Sequence, residues 1–237
     1  MSETERSSRL YLVAAVVVTV VCWQFHYGRL AMYPFTLLAT YAHEMGHGLT
    51  AMVMGADFMR LEMQPDGSGV AHWSGNVGRI ARGLIAAGGL VGPSVAGAVL
   101  LVISRNHKRA KWILLALGVA MLVTLVVWAR GLFAPAFILA AAAVILGTAR
   151  LFPDRGAPLL LQLIGAQLCV AVFRDVGYMF SDSAGPGKLS DSAAMADALF
   201  LPYWFWGALT ATFSFAVLAA GVYVATKPSR KRTIENV

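Results

Sequence analysis

Seven long apolar stretches, at about residues 10–25, 33–54, 84–103, 112–128, 132–149, 158–180 and 201–225, constrain this chain more than any other feature. Runs of about 18 or more apolar residues with few charges are long enough to cross hydrocarbon as helices. In lipid each backbone N–H and C=O must bond within the protein, so such runs fold as helices rather than open strands. The charge content agrees: 13% of the 237 residues are charged, against about 25% in a soluble domain. Too few polar side chains remain to cover a water-facing surface. The predicted fold class is all-α, a polytopic transmembrane helix bundle of about six to seven spans. It forms a single membrane-embedded domain over residues 1–237, with polar tails at 1–9 and 227–237.

The formal charge of +7 does not point to nucleic acid. The basic residues sit between apolar stretches, in Arg105-Asn106-His107-Lys108-Arg109, at 150–155 and at 227–232. This is the pattern of cytoplasmic loops in a membrane protein. It places the C-terminus inside and, with seven spans, the N-terminus outside. Residues 1–9 balance two acidic against two basic side chains and no small-residue cleavage site follows, so the first stretch reads as an uncleaved span. Cys22 and Cys169 both lie in apolar stretches and form no CxxC, which makes them small buried hydrophobes.

One segment has a different period. Phe58-Met59-Arg60-Leu61-Glu62-Met63 alternates apolar and polar side chains, Pro65-Asp66-Gly67 is a turn signal, and Val70-Ala71-His72-Trp73 follows. This pattern predicts a small β-hairpin after the second helix. Pro93 is expected to kink or split the next helix. A polar break is expected at 26–29, and residues 181–198, rich in Ser, Asp and Gly, read as a loop.

The chemistry concentrates in the second stretch, at His43-Glu44-Met45-Gly46-His47. Side chains four apart on a helix lie about 40° apart and one turn above each other, so His43 and His47 share a face. Two imidazoles so placed can bind one Zn²⁺. Glu44, turned by about 100°, is better placed to reach a metal-activated water than the metal, and so is the candidate catalytic general base. Ionisable groups inside a membrane helix are costly and point to function. The plainer alternative is a pair of interior histidines with Glu44 bonded to one of them. A catalytic zinc needs a third protein ligand and an open position. Asp175, late in the sixth stretch, is the first candidate. Arg174 could instead be its partner, although neighbours on a helix point about 100° apart. Asp191 is the alternative ligand, or else the N-cap of a short helix.

With Tyr41-Ala42-His43-Glu44-Met45-Gly46-His47-Gly48 stand three further stretches: Gln64-Pro65-Asp66-Gly67-Ser68-Gly69-Val70, Ala87-Gly88-Gly89-Leu90-Val91-Gly92-Pro93 and Ser190-Asp191-Ser192-Ala193-Ala194-Met195-Ala196. Together they resemble the site-2 protease superfamily of intramembrane zinc metalloproteases, most closely its small bacterial M50B-like branch. The resemblance implies a zinc metalloendopeptidase in the bacterial inner membrane that takes part in regulated intramembrane proteolysis. Its partners would be the lipid bilayer and membrane-spanning protein or peptide substrates. Substrate contacts would fall at Gly69 and Val70 on the hairpin and at Gly92 and Pro93 in the Gly-Pro helix. The family's third ligand is an Asp in a late helix, often in a Leu-Asp-Gly setting, whereas this chain has Arg174-Asp175-Val176-Gly177. The competing expectation is a non-catalytic membrane protein of the same fold that binds a metal or a partner helix. An intact Glu44 argues against it, because binding alone has no use for a general base.

Overall fold

The computed structural model describes residues 17–18, 21–22, 24–104, 107–154 and 156–226. Most of the first apolar stretch and both polar tails lie outside the described residues. The described chain runs α1 (His26–Val53), β1 (Asp57–Met63), β2 (Gly69–Ser74), α2 (Arg79–Ser104), α3 (His107–Val127), α4 (Phe133–Leu151), α5 (Gly156–Met179), β3 (Ser183–Gly185), β4 (Lys188–Leu189), α6 (Asp191–Leu199) and α7 (Tyr203–Thr226). Five of these helices, α2, α3, α4, α5 and α7, are long and apolar enough to cross a membrane. The chain is a multi-pass, mostly helical membrane protein. At 28 residues α1 is also long enough, about 42 Å at 1.5 Å per residue. It is less apolar because it carries Arg29, His43, Glu44 and His47.

One expectation about breaks is corrected, and of the two effects expected of Pro93 the split is absent. Residues 26–29 are helical, since α1 already begins at His26 after an extended Phe25. Pro93 does not divide its helix, and α2 is one helix from Arg79 to Ser104. Membrane helices tolerate an internal proline because neighbouring helices and hydroxyls take up the freed backbone groups.

Packing in lipid cannot draw on a hydrophobic difference between protein and solvent, so close contact between small residues matters more. The α1–α2 crossing is built this way. A Cβ on Gly46 would collide with the Gly88 carbonyl, and one on Gly92 would lie 2.8 Å from the Ala42 carbonyl oxygen. Beside this crossing, Leu61, Leu114, Met121, Ile138 and Leu161 are fully buried where α3, α4, α5 and the hairpin meet.

The predicted hairpin is present. β1 and β2 are antiparallel, with Leu61 opposite Ala71 and Met63 opposite Gly69. Its turn is closed by Asp66, whose carboxylate accepts from the Ser68 N–H at 2.9 Å and the Ser68 hydroxyl at 2.7 Å. Those two bonds hold the Asp66 carboxyl below the ordinary carboxylate range. Gly67 takes the left-handed conformation the turn requires, at φ 89°. Two side chains of α1 strap the turn down: the Tyr33 hydroxyl donates to the Pro65 carbonyl and the Thr40 hydroxyl to that of Gly67 at 2.7 Å. The outer edge of β1 is also occupied. Leu61 N–H donates to the Trp128 carbonyl at 2.8 Å and Arg130 N–H to the Leu61 carbonyl at 2.9 Å. Among the described residues no strand pairs with the other edge of β2.

Residues 181–198, expected as a loop, hold a second, very short hairpin (β3–β4) and the nine-residue helix α6. The Ser190 hydroxyl caps α6 by accepting from Ala193 N–H at 3.1 Å. Serine, aspartate and glycine favour caps and turns as much as open loops, so composition did not separate a loop from the short helix that a cap near Asp191 allowed.

Candidate metal centre

The site is assembled from three elements that are distant in sequence. α1 supplies His43, Glu44 and His47, the free edge of β2 approaches Glu44, and the first turn of α6 brings in Asp191. The two imidazoles converge as their helical spacing predicts, with Nε2 atoms 3.1 Å apart. His47 Nδ1 lies 2.8 Å from the Ile85 carbonyl oxygen. A carbonyl can only accept, so Nδ1 holds a proton and Nε2 is the atom turned toward the site. Ligating histidines are oriented by this kind of bond.

The Asp191 carboxylate reaches both rings: Oδ2 is 3.0 Å from His43 Nε2 and Oδ1 is 3.3 Å from His47 Nε2. One atom from each of the three residues lies within 4.8 Å of the others. Burial favours the neutral acid at Asp191, but the imidazoles facing it outweigh that penalty. They hold the carboxyl well below its ordinary range, in the ionised form that ligates metals.

Asp175, the first candidate from the sequence, is elsewhere. Its Oδ1 accepts from Arg174 Nε at 2.9 Å, and it does not line the cavity that holds the histidines. The choice of Asp175 over Asp191 is therefore corrected. Adjacent Cβ atoms do diverge on a helix, but an arginine stem is long enough to fold back to its neighbour. Asp191 is also not the N-cap, a position that belongs to Ser190. Asp191 is the first helical residue, one place further in.

The start of α6 is sewn to the end of α5 by hydroxyl groups. Ser190 donates to the Ser181 carbonyl, and Ser192 donates to the Met179 carbonyl at 2.6 Å. At the far end of α6, Arg79 Nε donates to the Ala198 carbonyl at 2.9 Å and its guanidinium stacks over Phe200 at 4.0 Å. The helix is thus tied at both ends, with Asp191 facing the histidines.

Glu44 is only 5% exposed. Its side chain lies against the free edge of β2. Gly69 on that edge passes so close that a Cβ there would lie 2.8 Å from both Cγ and Oε1 of Glu44. The expected outcome for Gly69→Ala is displacement of Glu44 with the metal ligands left in place. Uptake of a divalent metal should be unchanged while thermal stability falls, as metal titration and thermal unfolding of the two proteins will determine.

A cavity of about 610 Å³ opens over these groups. Gly69 and Val70 line it. Gly92 and Pro93 do not: both belong to α2, where Gly92 packs on α1 and Pro93 is buried. Tyr178, Arg82 and Lys188 line the cavity without having been singled out from the sequence. Tyr178 carried one usable signal, its position thirteen residues before Asp191 at the end of a span, but nothing local showed that the chain turns back there.

The donor set suits a divalent metal. Two imidazole nitrogens and one carboxylate form the three-ligand group typical of catalytic zinc, with a buried glutamate alongside. Fold and site together define a multi-pass membrane protein with a candidate metal centre inside its helix bundle. A model of the Peptidase M50B-like family matches residues 11–221, and the chain belongs to that family. Comparison with curated proteins and with solved structures gives no match.

Proposed function

We propose that the protein is an intramembrane zinc metalloprotease of the bacterial inner membrane that cuts membrane-spanning substrates. The observation that carries this reading is the meeting of His43, His47 and Asp191 beside a buried Glu44 that no ligand role requires. His43 and His47 would hold the metal through Nε2 and Asp191 through its carboxylate. Bound zinc supplies Lewis acidity and a water made acidic enough to lose a proton near neutral pH.

The rest of the chemistry belongs to the chain. Glu44 accepts the proton of the attacking water and delivers it to the leaving amine as the peptide bond breaks. The close approach of Gly69 on β2 confines the carboxylate in place for both transfers. A substrate helix must unwind before cleavage, because its carbonyls are otherwise bonded within the helix. The unpaired edge of β2, to which Gly69 turns its backbone groups, offers backbone partners for that unwound segment as an added strand, with the Val70 side chain beside it. The seal that residues 128–130 place on the edge of β1 leaves β2 as the side on which such a strand would add.

The test is metal removal and return on the purified full-length chain in detergent, assayed with a labelled single-span peptide that has a glycine-rich centre. The expected result is about one zinc per chain. Hydrolysis should be lost on chelation and restored by added zinc. A folded protein that binds no zinc, or that cuts equally well after chelation, overturns the proposal.

A further inference from the structure

Among the groups lining the cavity, Tyr178 is the one whose hydroxyl contacts the third ligand although no metal or proton-transfer role has been given to it. It stands at the C-terminal end of α5. Its oxygen lies 3.3 Å from Asp191 Oδ2 and 3.3 Å from the Asp191 backbone nitrogen. The phenol can donate its single proton only to the carboxylate, while it accepts from the Asp191 N–H. One atom therefore joins the main chain and the side chain of the same residue, closing a small ring that restrains rotation about the Asp191 side-chain bonds. The ring of Tyr178 also packs edge-on against His43, at 6.2 Å between centroids. The carboxylate oxygen it touches, Oδ2, is the one nearest His43 Nε2.

Position strengthens the case. Asp191 begins a nine-residue helix that is joined to α5 through two short strands. The serine bonds to Ser181 and Met179 dock that helix, but neither touches the carboxylate. Among the described residues, the groups recorded within bonding distance of the carboxylate oxygens are the two histidines and Tyr178. Of these, the phenol is the one partner of the carboxylate that is not itself a candidate metal ligand.

We infer that Tyr178 is a positioning residue of the metal centre, whose hydroxyl presets the Asp191 carboxylate to complete a three-ligand site with His43 and His47. This rests on the reading of that cluster as a zinc site. Groups that hydrogen-bond a metal ligand typically contribute about 10–100-fold to affinity or activity when removed.

The test measures zinc affinity of the full-length chain in detergent by competition with a chromophoric chelator, together with the visible spectrum of the cobalt-substituted protein. Tyr178→Phe keeps the ring against His43 and removes only the hydroxyl. The expected result is about 10–100-fold weaker zinc binding and an altered cobalt spectrum, with thermal unfolding of the metal-free protein unchanged. Placing p-aminophenylalanine at position 178 returns a donor and should restore both readings, which separates a lost hydrogen bond from a disturbed fold. Zinc affinity within twofold of wild type for Tyr178→Phe, or no rescue by the amino analogue, overturns the inference and leaves the metal site standing. A wild-type chain that binds no zinc removes the site itself, and the inference with it.

Discussion

Glu44→Gln is expected to keep about one zinc per chain and to lose roughly 10²–10⁴-fold in turnover. The substitution is nearly isosteric in a position that is 5% exposed, so the packing between α1 and the hairpin should survive. The amide fills the same space against Gly69, which keeps β2 docked. What disappears is the capacity to take a proton from the attacking water. Metal content and hydrolysis are to be measured on the same preparation. Retained turnover would mean that Glu44 is not the base, and lost zinc would mean that it helps to bind the metal.

The second large effect separates the two aspartates. Asp191→Ala should bring zinc in the purified protein close to none, a loss well beyond the roughly 10–100-fold that follows removal of a group merely hydrogen-bonded to a ligand. The carboxylate is the only one among the described residues that joins both histidines, and two imidazoles alone do not complete a zinc site. Asp175→Asn should leave zinc unchanged, because that side chain is engaged by Arg174 away from the cavity. Metal analysis of the two variants beside wild type decides between them. Zinc lost in Asp175→Asn and kept in Asp191→Ala would reverse the assignment.

These two variants also mark how far the residues alone could be read. Glu44 and the two histidines were legible because a helix turns by a known angle. Spacing of four places His43 and His47 on one face, and nothing distant is needed to bring their Nε2 atoms to 3.1 Å. The hairpin was legible for a similar reason, since its alternation and its Pro-Asp-Gly turn are local. The third ligand was not. Asp175 stood out because an acid inside an apolar run demands a partner, and the partner was next door. Asp191 ranked second because an acid in a polar segment needs no partner, and its place beside the histidines comes from the fold returning that segment to α1.

The sequence by itself determined a helical membrane bundle, a hairpin behind the second stretch, and a helix face bearing two imidazoles and a glutamate. Each follows from periodicity and from the cost of leaving backbone or charge unsatisfied in lipid. Only the tertiary structure decided which aspartate joins the histidines, which hairpin edge stays open and what Tyr178 touches. Those outcomes depend on contacts between segments up to about 150 residues apart, set by hydroxyl bonds and close glycine crossings between packed helices. Such contacts leave no period in the chain.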